Sequence, residues 1–279
     1  MNYSIREVPD GEFHYPREAI LPVNGERQLT DLYPSVISLP YRPILVDANG
    51  KLVLLDTGAG PLAPSTGQLQ VSLRGLQVTP EMIDVVVLSH AHADHIGGLV
   101  DHEGRPAFPN ARIVIGRKEY EFWRRSGFRE RLGDGSVYGN PAIESLVGRW
   151  FDQYLVTLEE RLELVGEEAE VLRGITLVPA PGHTPGHSAL LIHDGAEPVL
   201  VAGDAFLLAE HVAHPEWASP LDLDATQTVE TRRHLLDRAA TDRCCVVHYH
   251  VGGVGRILRR GHGYVWEPSH APELAQTAS

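Results

Sequence analysis

Three imidazoles and a carboxylate fall within six residues at His90-Ala91-His92-Ala93-Asp94-His95, directly after the apolar run Val85-Val86-Val87-Leu88 and just before Gly97-Gly98. Side chains alternate along an extended chain, so His90 and His92 can project to one side and share an ion. The turn that follows can carry Asp94 and His95 toward a second ion. Imidazole nitrogen and carboxylate oxygen suit zinc and its first-row neighbours. A chance histidine-rich loop rarely follows a buried strand at this spacing.

Further candidates follow downstream. In Pro181-Gly182-His183-Thr184-Pro185-Gly186-His187, prolines and glycines stiffen a turn that holds two histidines. His183 is the better ligand, because it comes straight after the preceding strand; His187 opens the next strand and stands behind the ligands or packs. Asp204 ends Val199-Leu200-Val201-Ala202-Gly203. Its two oxygens could bridge two cations, although a turn aspartate is the usual fate of Asp after Gly. Cys244-Cys245-Val246-Val247 runs into His248 and His250, which have equal parity, so spacing does not choose between them. Asp56, in Asp56-Thr57-Gly58, either orients a bound imidazole from behind or simply makes a turn.

The elements that must position these groups are legible as apolar runs. Tyr41 to Val46 and Lys51 to Leu55 flank Ala48-Asn49-Gly50, a hairpin signal. Helical patterns cover Gln68 to Leu76, Arg117 to Arg125, Pro141 to Leu155 and Ala225 to Ala240, with a short one after Thr79. Gly127 to Asn140 is expected to be a loop. Strands are expected at Arg112–Gly116, Ile175–Val178, Ala189–His193, Val199–Ala202 and Cys244–Val247, closed by a hairpin around Arg260 to Gly263. Strands interspersed with helices in both halves suit sheets packed between helical layers.

With 279 residues, 43% hydrophobic and 22% charged, the chain has the balance of a soluble globular protein. A net charge of −13 argues against a grip on a phosphate backbone. The adjacent Cys244 and Cys245 do not suit disulfide geometry and read as buried apolar residues. No leader or membrane-spanning run is visible, and a cytoplasmic protein is the default expectation.

Taken in order, the motifs resemble the metallo-β-lactamase superfamily: HxHxDH, then a histidine, a bridging aspartate and a final histidine, each at a strand end. The resemblance covers roughly Arg42 to Pro268. It is strongest toward the methyl parathion hydrolase and lactonase branch, through Leu54 to Ala59, Ser89 to Leu99, Ala107 to Ala111, Gly182 to His187 and the tail Gly253-Val254-Gly255 with Gly263-Tyr264. It implies an α+β fold, the αββα four-layer sandwich with two mixed sheets face to face and helices outside. A single domain over 1–279 is expected, in two pseudo-symmetric halves of about 1–145 and 146–279. The metal ligands implied are His90, His92 and His183 for one ion, Asp94, His95 and His248 for the other, with Asp204 bridging. His248 is chosen because the branch places its last ligand five residues before the first glycine of the tail Gly-x-Gly. His250 is then left as a pocket residue.

Two departures separate this chain from the branch. Acyl-homoserine lactonases commonly have a tyrosine three residues after the bridging aspartate, where this chain has Leu207, and methyl parathion hydrolase relatives have Phe-Pro where it has Val251-Gly252. The substrate-facing wall, with Leu207, Tyr249 and His250 as candidates, is therefore not a copy of either type.

The chemistry implied is hydrolysis by a hydroxide bridging two divalent metal ions, zinc first, with manganese, iron or cobalt as alternatives. Asp94 and Asp204 are the expected catalytic carboxylates. No Gly-x-Ser-x-Gly elbow competes with this reading. Lactones or carboxylic esters lead as substrates; phosphotriesters, thioesters, an iron-dependent oxidoreductase and a metal-bearing binding protein without turnover are the alternatives. Phe122, Trp123, Trp150, Phe151, Phe206 and Tyr249 could line an apolar pocket, though aromatics of this kind more often pack inward. The expected partner is a small molecule, neither nucleic acid nor membrane, with a homodimer as the open assembly.

Overall fold

Along the strand Ile83–Leu88, Val85 and Val87 enter one apolar core while Val86 and Leu88 enter another. A strand buried on both faces is a strand inside a layered protein. The computed structural model describes residues 3–21, 33–124, 149–193 and 197–269. The strands begin with β1 (Tyr3–Glu7), β2 (Gly11–Pro16), β3 (Val36–Tyr41), β4 (Ile44–Ala48) and β5 (Lys51–Leu55). They continue with β6 (Ile83–Leu88), β7 (Arg112–Gly116), β8 (Leu162–Val165), β9 (Ala169–Leu172) and β10 (Ile175–Pro179). The last are β11 (Ser188–Ile192), β12 (Val199–Val201), β13 (Cys245–Val247), β14 (Val254–Arg260) and β15 (Gly263–Ser269).

One sheet has the order β1-β4-β5-β6-β7-β8, antiparallel through β5 and parallel beyond it. The other runs β15-β14-β13-β12-β11-β10-β9, with β12 and β13 its parallel pair. Val53, Leu55, Val85, Val87 and Val114 of the first sheet share a core with Leu177, Leu190, Val199, Val201 and Val247 of the second, so the sheets lie face to face. Helices cover the outer faces. The helices described over their full length are α1 (Arg17–Ile20), α2 (Leu69–Gly75), α3 (Ala93–Ile96), α4 (Arg117–Arg124), α5 (Glu210–Ala213) and α6 (Ala225–Asp242). In α2, Leu69 and Leu73 pack on the outer face of the first sheet with Leu54 and Val86. In α6, Leu235, Leu236 and Ala239 pack on Leu200 and Val246 of the second. The Asp224 side chain caps α6 by accepting the Gln227 N–H at 2.9 Å. The fold is the expected α+β sandwich of four layers, αββα.

Most expected elements are present. Asn49 and Gly50 turn the β4–β5 hairpin in the left-handed region, with φ of 56° and 83°. Cys244 and Cys245 are free, buried, and face different cores. The run expected from Tyr41 is divided by Pro43: Tyr41 closes β3 and Ile44 opens β4. No element is legible before Tyr41, yet β1, β2, α1 and β3 lie there. β2 pairs with β3 as a separate two-stranded sheet, its Phe13 and Tyr15 turned inward and Glu12 and His14 outward. The loop expected at Gly127 to Asn140 lies outside the described residues. Of the helix expected at Pro141 to Leu155, residues 149–154 are described and helical. Among the described residues no helix is long and apolar enough to cross a membrane.

Candidate metal centre

The strands of both sheets release their functional side chains at one edge. β6 leads into His90 to His95, β10 into His183, β12 into Asp204 and β13 into the 248–250 turn. The two edges are tied by the Ser188 N–H, which donates to the Ser89 carbonyl at 3.0 Å.

His90, His92 and His183 form one group. His90 Nε2 lies 2.9 Å from His92 Nδ1, which lies 2.9 Å from His183 Nε2. The edge of a tetrahedral zinc site with nitrogen ligands is about 3.3 Å, so three lone pairs this close suit a shared cation. Burial and the neighbouring imidazoles hold His90 and His92 well below the usual histidine range, which keeps those lone pairs free near neutral pH. On His183, burial opposes charge, but Asp204 and Asp222 outweigh it and push the group up to about 9. Its Nδ1–H donates to Asp222 Oδ1 at 3.0 Å and leaves Nε2 facing the group.

Asp94, His95, Asp204 and His250 form the second group, their ligand atoms all within 4.8 Å of one another. His95 Nε2 is 3.3 Å from Asp204 Oδ1 and 3.7 Å from Asp94 Oδ2. His250 Nε2 is 3.2 Å from Asp204 Oδ2 and 3.7 Å from Asp94 Oδ2. Asp204 Oδ2 also lies 3.3 Å from His183 Nε2, so this one carboxylate stands between the groups. Burial works against its charge, but His250, His95 and His183 outweigh burial and hold the carboxyl well below the usual range. His95 Nε2 and Asp204 Oδ1 are buried without a hydrogen-bond partner among the described residues. Orphaned buried atoms are costly, and a cation among these oxygens and nitrogens satisfies both. The residues present therefore fit divalent metal ions.

Several of these groups are held from behind. Asp56 accepts His95 Nδ1–H at 2.8 Å and also the Ser89 N–H and hydroxyl, at 2.7 and 2.8 Å. It is the orienting role rather than the bare turn. His187 donates from Nδ1 to the Ala180 carbonyl at 2.8 Å and accepts the Asp204 N–H at Nε2 at 3.0 Å. It packs behind the bridge and is not a ligand. Burial, with charge on His183, pushes it down to about 4 and preserves that neutral tautomer. Gly203 sits at φ +54°, and a Cβ there would lie 2.6 Å from His187 Nε2, so only glycine allows the approach.

Two supporting groups carry no sequence signal of their own. Asp222 follows no recognisable spacing. Glu119, on α4, is fully buried and takes four hydrogen bonds. They come from Ala91 N–H at 2.9 Å, Trp123 Nε1–H at 2.6 Å, the Thr184 hydroxyl at 2.7 Å and Gly186 N–H at 3.0 Å. One carboxylate thereby fastens the His90–His92 loop to the His183 loop. Its only trace is an acid beside Tyr120 and Trp123 on the inward face of a helix.

The structure corrects the choice between His248 and His250. His248 keeps the alternation of β13 and falls on the same side as Val246, where its ring packs against Phe206 and Trp266 at centroid distances of 5.1 and 4.6 Å. Among the described residues neither of its nitrogens has a hydrogen-bond partner. The chain turns after Val247, and the turn presents His250 instead, its Nδ1–H donating to the Pro40 carbonyl at 3.0 Å. Tyr249 is fully buried: its ring stacks on His95 at 4.1 Å and its hydroxyl donates to the Asp94 carbonyl at 2.6 Å. Leu207 is buried in an apolar cluster with Leu208 and Trp217. Of the other aromatics, Trp123, Phe151 and Phe206 are core, and Trp123 also stands edge-on to His92.

A model of the metallo-beta-lactamase superfamily matches residues 42–248. YobT of Bacillus subtilis is 26% identical over 239 residues, 83% of this chain and 89% of its own length. The N-acyl homoserine lactonase AttM of Azorhizobium caulinodans is 29% identical over 197 residues, 69% of this chain and 67% of its own. Among solved structures, AidC, a dizinc quorum-quenching lactonase in complex with a product, superposes with a TM-score of 0.85 at 26% identity, covering 96% of this chain and 94% of AidC. The hydrolase AbOPH superposes with a TM-score of 0.87 at 22% identity over 96% of this chain and 95% of its own, which shows a shared fold. Sequence, fold and ligand geometry agree: the chain belongs to the metallo-β-lactamase superfamily and is a metal-dependent hydrolase.

Proposed function

We propose that this protein opens lactones or cleaves carboxylic esters of small molecules at a centre of two metal ions. The observation that carries the reading is Asp204, one carboxylate within 3.3 Å of ligand nitrogens in both groups. His90, His92 and His183 would hold one ion and Asp94, His95 and His250 the other. Bound there, divalent cations supply a Lewis acid for the substrate oxygen and bring the pKa of water down toward neutrality. Imidazole and carboxylate donors favour zinc. The chain's own residues do the positioning: Asp56, Asp222 and Pro40 fix which nitrogen of His95, His183 and His250 faces the centre. Asp94, 16% exposed where the other ligand side chains are nearly closed, marks the open side from which substrate arrives.

The lactonases among the relatives support this substrate class. The test is a panel on metal-loaded protein: γ-lactones of increasing acyl length, aryl esters, a thioester and a phosphotriester, compared by kcat/KM. Lactones or esters should lead by at least tenfold, and the purified protein should carry close to two ions per chain. Preference for the phosphotriester overturns the substrate class, and one tightly held ion overturns the dinuclear centre.

A further inference from the structure

The β2–β3 sheet is fastened to the metal centre at one end. Pro40 accepts the His250 Nδ1–H, and the Tyr41 ring stands edge-on to His250 with centroids 5.6 Å apart. On the inward face of the same sheet, Tyr15 and Tyr41 lean toward each other from different registers, Tyr15 opposite Ile37 and Tyr41 opposite Gly11, until their hydroxyls meet at 2.9 Å. Each hydroxyl has one proton, and the bond between them uses one. Among the described residues neither makes another hydrogen bond, so one phenolic proton is uncommitted.

Tyr15, half-buried where Tyr41 is fully buried, is the phenol placed to offer it. Burial, then Asp94, raises both phenols above the usual tyrosine range, so both hydroxyls keep their protons near neutral pH. Either hydroxyl can donate within the pair; when Tyr41 donates to Tyr15, the Tyr15 proton is left for an outward bond. Tyr41 against His250, and Tyr15 against the apolar cluster of Leu207, three residues past Asp204, place the pair beside the second ligand group. Other candidates nearby are occupied or silent: the Tyr249 hydroxyl is bound to the Asp94 carbonyl, and Leu207 and Leu208 share the apolar cluster against which Tyr15 packs.

We propose that Tyr15, positioned by Tyr41, donates a hydrogen bond to the substrate oxygen that becomes negative beside the Asp94–His95–Asp204–His250 group. The proposal rests on the hydrolase reading and adds a catalytic residue to it. Tyr15 keeps its proton throughout. A bond forms between the water oxygen and the acyl carbon, and the acyl carbon–oxygen bond breaks. Of the two water protons, one goes to the departing alkoxide and one to solvent, leaving a carboxylate. A neutral donor aimed where charge develops stabilises the transition state more than the ground state.

The test compares Tyr15→Phe, Tyr41→Phe and the double variant as metal-loaded proteins. Three quantities are measured: kcat and KM on the best lactone or ester; affinity for methylphosphonate, a tetrahedral oxyanion, by calorimetry; and metal content with Tm. Tyr15→Phe should lower kcat by about 10–100-fold with KM changed less than about threefold. It should weaken methylphosphonate roughly tenfold and leave metal content unchanged, with Tm lower by only a few degrees for the Tyr41 hydroxyl left unpaired. Tyr41→Phe should show smaller losses, and the double variant should match Tyr15→Phe. A Tyr15→Phe protein within twofold of the parent in kcat and in methylphosphonate affinity overturns the proposal, as does a loss confined to KM, metal content or Tm. If the parent turns over no ester or lactone, the proposed substrate class fails and methylphosphonate affinity alone decides the role of Tyr15.

Discussion

An imidazole serves a cation only when its other nitrogen is anchored, and the anchors separate the two histidines that end β13. His250 has the Pro40 carbonyl behind it and Asp204 in front; His248 has neither. Removing the His250 ring should therefore drop bound metal from close to two ions per chain to close to one and remove most activity. His248→Leu should leave metal content intact and change stability by only about 1 kcal/mol, because an apolar replacement deletes two buried nitrogens that lack partners. Metal analysis of the two variants decides, and the opposite ranking would restore His248 as the ligand. At this scale the sequence was legible wherever a ligand directly followed a strand, as at His90, His92 and His183. It was ambiguous at 248–250, since strand parity there continues only to His248 and a turn, not alternation, sets the direction of His250. Counting back from Gly253 landed on the wrong ring because the count assumes a turn of fixed length.

Among the elements, α4 does the most for the centre without contributing a ligand. Glu119 joins the loops that follow β6 and β10, and Gly186 permits the approach, since a Cβ there would meet the Glu119 backbone nitrogen at 2.2 Å. Glu119→Gln keeps the shape but sets an amide donor against groups that are themselves donors. Each buried donor left unpaired costs about 1–3 kcal/mol. The variant should melt several degrees lower and bind metal at the His90–His92–His183 group about 10–100-fold more weakly. Zinc titration checks the second effect, and unchanged affinity would reduce Glu119 to a packing role. The strands that carry ligands were readable from continuous apolar runs of four or five residues. The β2–β3 sheet was not, because its short strands carry prolines and bury only one face. Glu119 and Asp222 were invisible for a different reason: what they do depends on contacts across 28 to 67 residues of chain.

Across the whole molecule, the centre draws on both sheets: His90, His92, Asp94 and His95 from the first, His183, Asp204 and His250 from the second. Ions bound to the folded state alone stabilise it by mass action, about 4 kcal/mol for a site at a thousand times its dissociation constant. Chelation should lower Tm by roughly 5–10 °C, added zinc should restore it, and the Asp204→Asn protein should respond less than the parent. A Tm indifferent to chelation would mean that the two edges are already rigid without ions. The Ser89–Ser188 backbone bond that joins those edges has one more consequence. Neither sheet can offer a complete coordination shell until the other has docked in register beside it. Tight ion uptake therefore waits on the docking of the two sheets, and a chain caught before that step should hold zinc only as weakly as one half of the centre can.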